Sequence, residues 1–265
     1  MLGRFSSCRK PTSSRRAGEP GQPSALMLEQ ARRRLAERLS PTDVVLDIGG
    51  WADPFNRADW VMDIMPFDTR GLYEREGWIE QGDRSPLRFG ADTWIQRDIC
   101  DREPYPFADD EIDFVICSHT LEDIRDPIWV CSEMARIGKA GYIESPSMLE
   151  ELCYGFRGSL VGWEHHRWLI DADQEAGRIE FMLKDHTLHS RPELHFPAGF
   201  RDLLSEEERV TTLWWEGDFS FEERVFVRVG PDELLEQFVS SELAKRDVDR
   251  MPSDRRSPLS RLFRR

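Results

Sequence analysis

IDFVICSHTLEDIRDPIWVCSEMARIGKAGYIES, residues 112–145, decides the fold. Its first eight residues form a continuous apolar, β-branched run of the kind buried on both faces of a sheet. Asp126–Pro127 opens a helix, IWVCSEMARI, which stops at Gly138. A second buried-type strand, AGYIES (140–145), ends at Pro146. A strand, a helix and a strand in that order form the unit of a parallel sheet with helices laid on its faces.

Upstream, the same pattern repeats. Ser24 caps a predicted helix through Leu39 that carries Leu26, Leu28 and Leu35, and VVLDIG (44–49), DWVMDI (59–64) and TWIQRD (93–98) read as strands. Only about ten residues separate the first two strands, and a crossover helix needs a dozen or more. WADPFNRA therefore reads as a turn with at most one helical turn. Downstream, RIEFMLKD (178–185) alternates and reads as a strand beside RWLID. TTLWWEG (211–217) and EERVFVRV (222–229) flank a polar turn as a hairpin, and PDELLEQFVSSEL (231–243) reads as a closing helix. The expected architecture is a doubly wound α/β sandwich: a mostly parallel seven-strand sheet ending in an antiparallel C-terminal hairpin.

Charge divides the chain into three parts. Residues 1–24 hold five basic side chains and one acidic, and residues 245–265 hold eight basic and three acidic. That leaves 23 basic against 46 acidic in residues 25–244, a net of −23 beneath the whole chain's −14. A core this acidic repels phosphates, so nucleic acid is not an expected partner. The two ends read as basic, solvated, disordered tails around a domain over 25–244. The Arg- and Ser-rich first tail also has the composition of a transit peptide, which Pro11 and Gly18 argue against, and Leu259, Leu262 and Phe263 offer the second a weak hold on an anionic membrane surface. No apolar run reaches the ~18 residues of a membrane span, and the start lacks the apolar stretch of a secretory signal. The five cysteines (Cys8, Cys100, Cys117, Cys131, Cys153) form no CxxC pair, which points to free thiols in a reducing, cytoplasmic setting.

In open α/β sheets ligands bind beyond the carboxyl ends of the strands. The first strand ends in Asp47, Gly49 and Gly50, the second in Asp63, the third in Asp98 and Ile99, and the fourth in Cys117, Ser118 and His119. Three acidic ends, with glycines at the first, suit a ligand with hydroxyls, amines and positive charge. No G-x-G-x-x-G turn and no P-loop lysine is present, which disfavours a dinucleotide.

This arrangement resembles the class I S-adenosylmethionine-dependent methyltransferases, in particular the type 11 group, over roughly residues 43–147. VLDIGG looks like the family's first motif and VMDI like its acidic second-strand end. QRDICDREPYPFADDEIDFVICSHTLEDIRDP (96–127), the most specific stretch, resembles in order and spacing the family's run of Asp, then Leu-Pro-Phe, then Asp-Phe-Val, then Ser-His-x-Leu-Glu, and MARIGK followed by GYIESPS looks like its step into the fifth strand. The resemblance implies that Gly49 and Gly50 let the backbone approach the cofactor and that Asp47 orients its methionine end. It implies that Asp63 accepts from the ribose hydroxyls, that Asp98 and the Ile99 amide meet the adenine, and that Ser118 lines the cofactor. The family's second and third glycines are replaced here by Trp51 and Asp53.

The implied activity is methyl transfer from S-adenosylmethionine to a small-molecule or glycan-type acceptor. The alternative is a non-catalytic binding or assembly module that keeps the fold. His119 is the first candidate base, with Glu122 and His166 behind it; Glu122 reads equally as a helix-capping residue. Residues 148–195 read as an acceptor-side insertion in which His165, Arg167 and Trp168 contact substrate. Arg167 has a bland alternative in an ion pair with Glu164 or Asp171. No metal site is expected, because His165, His166, His186, His189 and His195 show no ligand spacing on a recognisable element.

Overall fold

A computed structural model describes residues 27–76, 85–226, 231–246 and 248. The Ser24 cap and the predicted tails lie outside those residues, apart from the last residues of the C-terminal helix. Helix α1 spans Glu29–Arg38. The four strands that follow are β1 (Val45–Ile48), β2 (Trp60–Asp63), β3 (Trp94–Gln96) and β4 (Phe114–Ser118), with the one-turn helix α2 (Leu72–Arg75) between β2 and β3. Helix α3 (Pro127–Ile137) leads into β5 (Ala140–Pro146). Asp126 caps α3 by accepting from the Trp129 amide, as its place before Pro127 predicts.

The main sheet has six strands in the order β3-β2-β1-β4-β5-β8, where β8 is Val210–Glu216. The first five are parallel, and β8 closes the edge antiparallel to β5, with Tyr142 opposite Trp214. Alternation along the strands gives the sheet two apolar faces. On one, Leu46, Ile48 and Val115 meet Val130, Cys131, Met134 and Ile137 of α3. On the other, Val45, Val61 and Ile116 meet Ala31 and Leu35 of α1.

Two features differ from expectation. The sheet has six strands rather than seven. After the turn at Gly217 the chain forms β9 (Ser220–Glu223), which joins a second sheet of order β6-β7-β9. There β6 (Trp168–Asp173) and β7 (Arg178–Leu183) lie side by side as expected, in antiparallel pairing, while β9 runs parallel to β7. The reason lies in the packing: Phe219 and Phe221 join Trp215 in the apolar space between the two sheets, which draws the strand away from β8. Residues 227–229 of the predicted strand lie outside the described residues.

The insertion after β5 starts with the short helix α4 (Met148–Glu151), runs through the second sheet, and packs with α5 (Asp232–Lys245) around Leu169, Met182, Phe196 and Phe200. The connection from β1 to β2 is a turn, as its length requires. Trp51 holds it in place: its indole N–H donates to the Thr69 carbonyl at 2.8 Å. Among the described residues, no helix is long and apolar enough to cross a membrane.

Gly141 marks where β5 tolerates no side chain. A Cβ there would stand 2.5 Å from the Val115 carbonyl oxygen and 2.6 Å from the Trp215 ring. Backbone and a buried ring cannot both move aside, so Gly141→Ala should cost about 1–3 kcal/mol, the range for overpacking. Urea unfolding measures this, and a midpoint equal to wild type would show that β4, β5 and Trp215 are not packed this closely.

Candidate functional site

Parallel register places the predicted residues side by side. Asp47 lies level with Val61 and Ile116, and Asp63 is level with Gln96, so the carboxyl ends of four strands open on one edge. A cleft open to solvent lies there. Its walls include Asp47, Gly49, Gly50, Ser118 and His119, all expected from the sequence, together with Arg32, Asp53 and Tyr73, which were not.

The two glycines have local reasons as well as an implied ligand. Gly49 has φ +78°, and a Cβ on it would fall on the Thr120 side chain; one on Gly50 would fall on the Asp47 carboxylate. Asp47 is buried and accepts from the Phe55 amide at 2.8 Å. Burial, helped by the nearby charges of Asp53 and Asp63 and opposed by that amide and by Arg32, pushes its carboxyl up to about 7. Asp63 accepts from the Trp51 amide at 3.1 Å and the Met65 amide at 2.8 Å. Burial still carries its carboxyl above the ordinary value. Arg32, from α1, pairs with Asp53.

Asp98 stands further out. It caps the Cys100 amide and pairs with Arg125, which, against the effect of burial, holds its carboxyl below the usual range. Ile99 is buried, and its carbonyl accepts from the Tyr105 hydroxyl at 2.8 Å. The Ser118 hydroxyl is buried with no hydrogen-bond partner among the described residues, and so is one carboxylate oxygen of Glu122.

His119 departs from its expected role. It takes a left-handed conformation, φ 50°, held by its amide donating to the Glu144 carbonyl at 2.8 Å. Its Nε2 lies 3.0 Å from Glu144 Oε1 and its Nδ1 3.7 Å from Glu122 Oε1. Burial alone would lower its pKa, but the two carboxylates outweigh it and raise it to about 10. A ring that keeps both protons at neutral pH is a cation and a donor, not a base. Glu144, absent from the sequence reading, was marked only by being a charged residue in an apolar strand.

The loop before β6 supplies the remaining residues. The Glu122 carbonyl accepts from the amides of both Arg167 and Trp168, which ties this loop to the end of β4. Trp168 does not face a ligand: it is buried in the core, edge-on to Phe181, with its indole donating to Ile124. Arg167 is exposed and makes no ion pair among the described residues; Glu164, its suggested partner, faces Arg157 instead. His166 is buried against Trp163, and its Nδ1 is 2.5 Å from the buried Glu151 carboxylate. Lys184 donates to the other Glu151 oxygen, also at 2.5 Å. Asp123, His165 and His166 bring one ligand-type atom each within 4.8 Å of one another. Burial, with the charges of Glu122, Asp123 and Asp53 adding to it, pushes the Tyr73 hydroxyl up to about 12.

Comparison with known proteins finds a family match over part of the chain. A family model described as a methyltransferase domain matches residues 80–143, the span containing the longest motif. Among solved structures, a Haloferax volcanii candidate methyltransferase in complex with its Trm112 activator shares 20% identity over 44% of this chain and 51% of that one, with a TM-score of 0.32. An S-adenosylmethionine-dependent methyltransferase from Mesorhizobium loti shares 12% over 58% and 62%, at 0.32. One from Aquifex aeolicus shares 13% over 49% and 69%, at 0.29. The chain thus spans about half the length of the first of these structures. No curated protein matches.

The His119–Glu144 pair makes stability depend on pH. The His119 pKa is about 10 in the folded chain against 6.5 in the unfolded one. Its stabilisation is therefore complete below about pH 6.5 and is lost as pH rises toward 10. The melting temperature should fall between about pH 7 and 9 in the wild type. His119→Gln should melt lower at pH 7, since a buried charge loses its partner, and should lack that slope. Parallel profiles for the two proteins would remove the ion pair from the account.

Proposed function

We propose that this chain transfers a methyl group from S-adenosylmethionine to a small-molecule or glycan-type acceptor. The observation that carries the reading is the charge around the cleft: the buried Asp47 feels the charges of Asp53 and Asp63, Arg32 opposes them but is already paired with Asp53, the His119 cation is taken up by Glu144, and the Asp47 carboxyl is left near 7. Such a site is short of positive charge, and it also holds an unpartnered buried hydroxyl, Ser118. A cationic ligand with amino and hydroxyl groups fits both needs. The methyltransferase-domain match over residues 80–143 supports the same reading.

In this reading Asp47, Gly49, Gly50 and Ser118 hold the methionine end, and Asp63 keeps lone pairs beyond its two amide donors for the ribose hydroxyls. Asp98, beside the Ile99 amide, meets the adenine by exchanging Arg125 for it. When bound, the cofactor supplies an activated methyl group on a sulfonium leaving group. The chain's own part is then mainly alignment and exclusion of water. His119 serves as a fixed cation on the wall. Of the three side chains expected as base, Glu122 is the one with a buried, unpartnered acceptor oxygen, so proton removal from a hydroxyl acceptor falls to it. Arg167, exposed and without an ion pair among the described residues, orients the acceptor, with residues 148–195 forming its wall.

Calorimetry with S-adenosylmethionine tests this. Binding should tighten as pH is raised from about 6 to about 8, because the cation favours ionised Asp47, and Asp47→Asn should abolish that dependence. Asp63→Ala should weaken binding by about 1.5–3 kcal/mol, the worth of hydrogen bonds to a charged acceptor. Absence of binding by folded wild type at millimolar cofactor would favour the non-catalytic module, with Arg125 closing the adenine end.

A further inference from the structure

We propose that Asp123, His165 and His166 form a binding site for a first-row divalent cation, zinc by preference, beside the cleft. The three residues come from two loops: Asp123 from the end of β4, the histidines from the turn before β6. His166 Nε2 lies 3.8 Å from Asp123 Oδ1, and His165 Nε2 lies 3.9 Å from the same oxygen. Neither is a hydrogen bond. Three ligand-type atoms therefore point at one another across a gap that none of them fills. Around zinc, with bonds of about 2.0–2.1 Å, neighbouring ligand atoms stand about 3.4 Å apart. Closing the two gaps to Asp123 by about half an ångström each, and bringing the two histidine nitrogens, which lie within 4.8 Å, to the same separation, completes three corners of a tetrahedron.

The support behind these atoms is built, not incidental. Glu151 is fully buried and takes His166 Nδ1 at 2.5 Å, which turns Nε2 outward to Asp123. A buried carboxylate that orients a histidine from behind is the usual outer partner of a metal-bound imidazole. Lys184 satisfies the other Glu151 oxygen, and donates also to the Trp163 carbonyl at 2.9 Å. Gly162 leaves room for both, since a Cβ there would strike Glu151 and Lys184. The Glu122 carbonyl, accepting from both the Arg167 and Trp168 amides, holds the two loops in register. Asp123 and His165 are half exposed, which gives an ion a way in.

Two imidazoles and one carboxylate suit zinc or another first-row ion better than magnesium or calcium, which take oxygen sets. Three protein ligands leave at least one open position, and the group stands close to the cleft, since Glu122, next to Asp123 in the chain, lies 3.7 Å from the cleft residue His119. The ion would there receive an oxygen or sulfur donor from an incoming molecule. The site itself does not depend on the methyl-transfer reading.

The test is titration of zinc chloride into tag-free, chelator-stripped full-length protein, followed by calorimetry and by competition with a chromophoric indicator. One ion per chain should bind saturably. Asp123→Asn and His165→Ala, both at half-exposed positions, should each weaken binding at least about 10-fold, and Glu151→Gln should do so by about 10–100-fold through His166. His186→Ala with His189→Ala, the other adjacent histidine pair, should leave it unchanged. Absence of saturable binding, or binding that survives joint loss of Asp123 and His165, overturns the proposal. S-adenosylmethionine titrated into the same samples keeps the two readings apart: zinc without cofactor sinks only the methyl-transfer reading, and cofactor without zinc sinks only the metal site.

Discussion

The buried carboxylate of Glu144 is the constraint on which the cleft depends. It sits in the middle of β5 with no exposure to water, and a bare charge there would be untenable. Donors come to it from three parts of the chain: the His119 ring after β4, the Tyr142 hydroxyl two residues earlier, and the Leu28 amide at the start of α1. The Leu28 bond fixes where α1 begins, and one turn later α1 delivers Arg32 to Asp53. The His119 bond, with the main-chain bond from its amide to Glu144, holds that residue in a left-handed conformation that costs of order 1–3 kcal/mol for a non-glycine. Strain is affordable there because two bonds to one residue over-determine it.

Much of the fold was legible because it rests on local patterns. The strands at 45–48, 60–63 and 114–118 are apolar apart from Asp47 within the first and Asp63 and Ser118 at the ends of the others, and Asp126, Pro127 and Gly138 delimit α3 by capping chemistry alone. The absence of a helix between β1 and β2 followed from counting residues. What the sequence could not show was pairing at a distance. The alternation in 222–229 announces a strand but not its neighbour, and only the aromatic residues at 215, 219 and 221 packing together send β9 to β7.

The same division holds at the site. Asp47, Gly49, Gly50, Ser118 and His119 line the cleft because parallel strands of similar length must end together. Arg32 and Tyr73 arrive from helices α1 and α2, which no spacing rule brings to the strand ends, and Asp53 comes from the turn after β1. His119 shows the limit most clearly. Its position was correct, but its chemistry was set by Glu144, 25 residues away, and that partner turns an expected base into a cation. Likewise Asp123 and His165 are 42 positions apart, so a search for ligand spacing along the chain passes over them.

Two buried carboxylates, treated differently, show how the protein distributes charge. Glu151 is as buried as Asp47, yet His166 and Lys184 overcome burial and hold its carboxyl below the ordinary value. Asp47 has one amide donor and no cation in direct contact, and burial wins. The contrast cannot come from burial, which is the same; it comes from whether the chain supplies a counter-charge. Glu151 is answered from within and so serves to orient its neighbours. Asp47 is left unanswered at the floor of an open cleft, beside two further carboxylates. A cleft that leaves Asp47 to be neutralised by a proton, with Asp63 nearby answered only by amides, has left room for a cation that comes from outside.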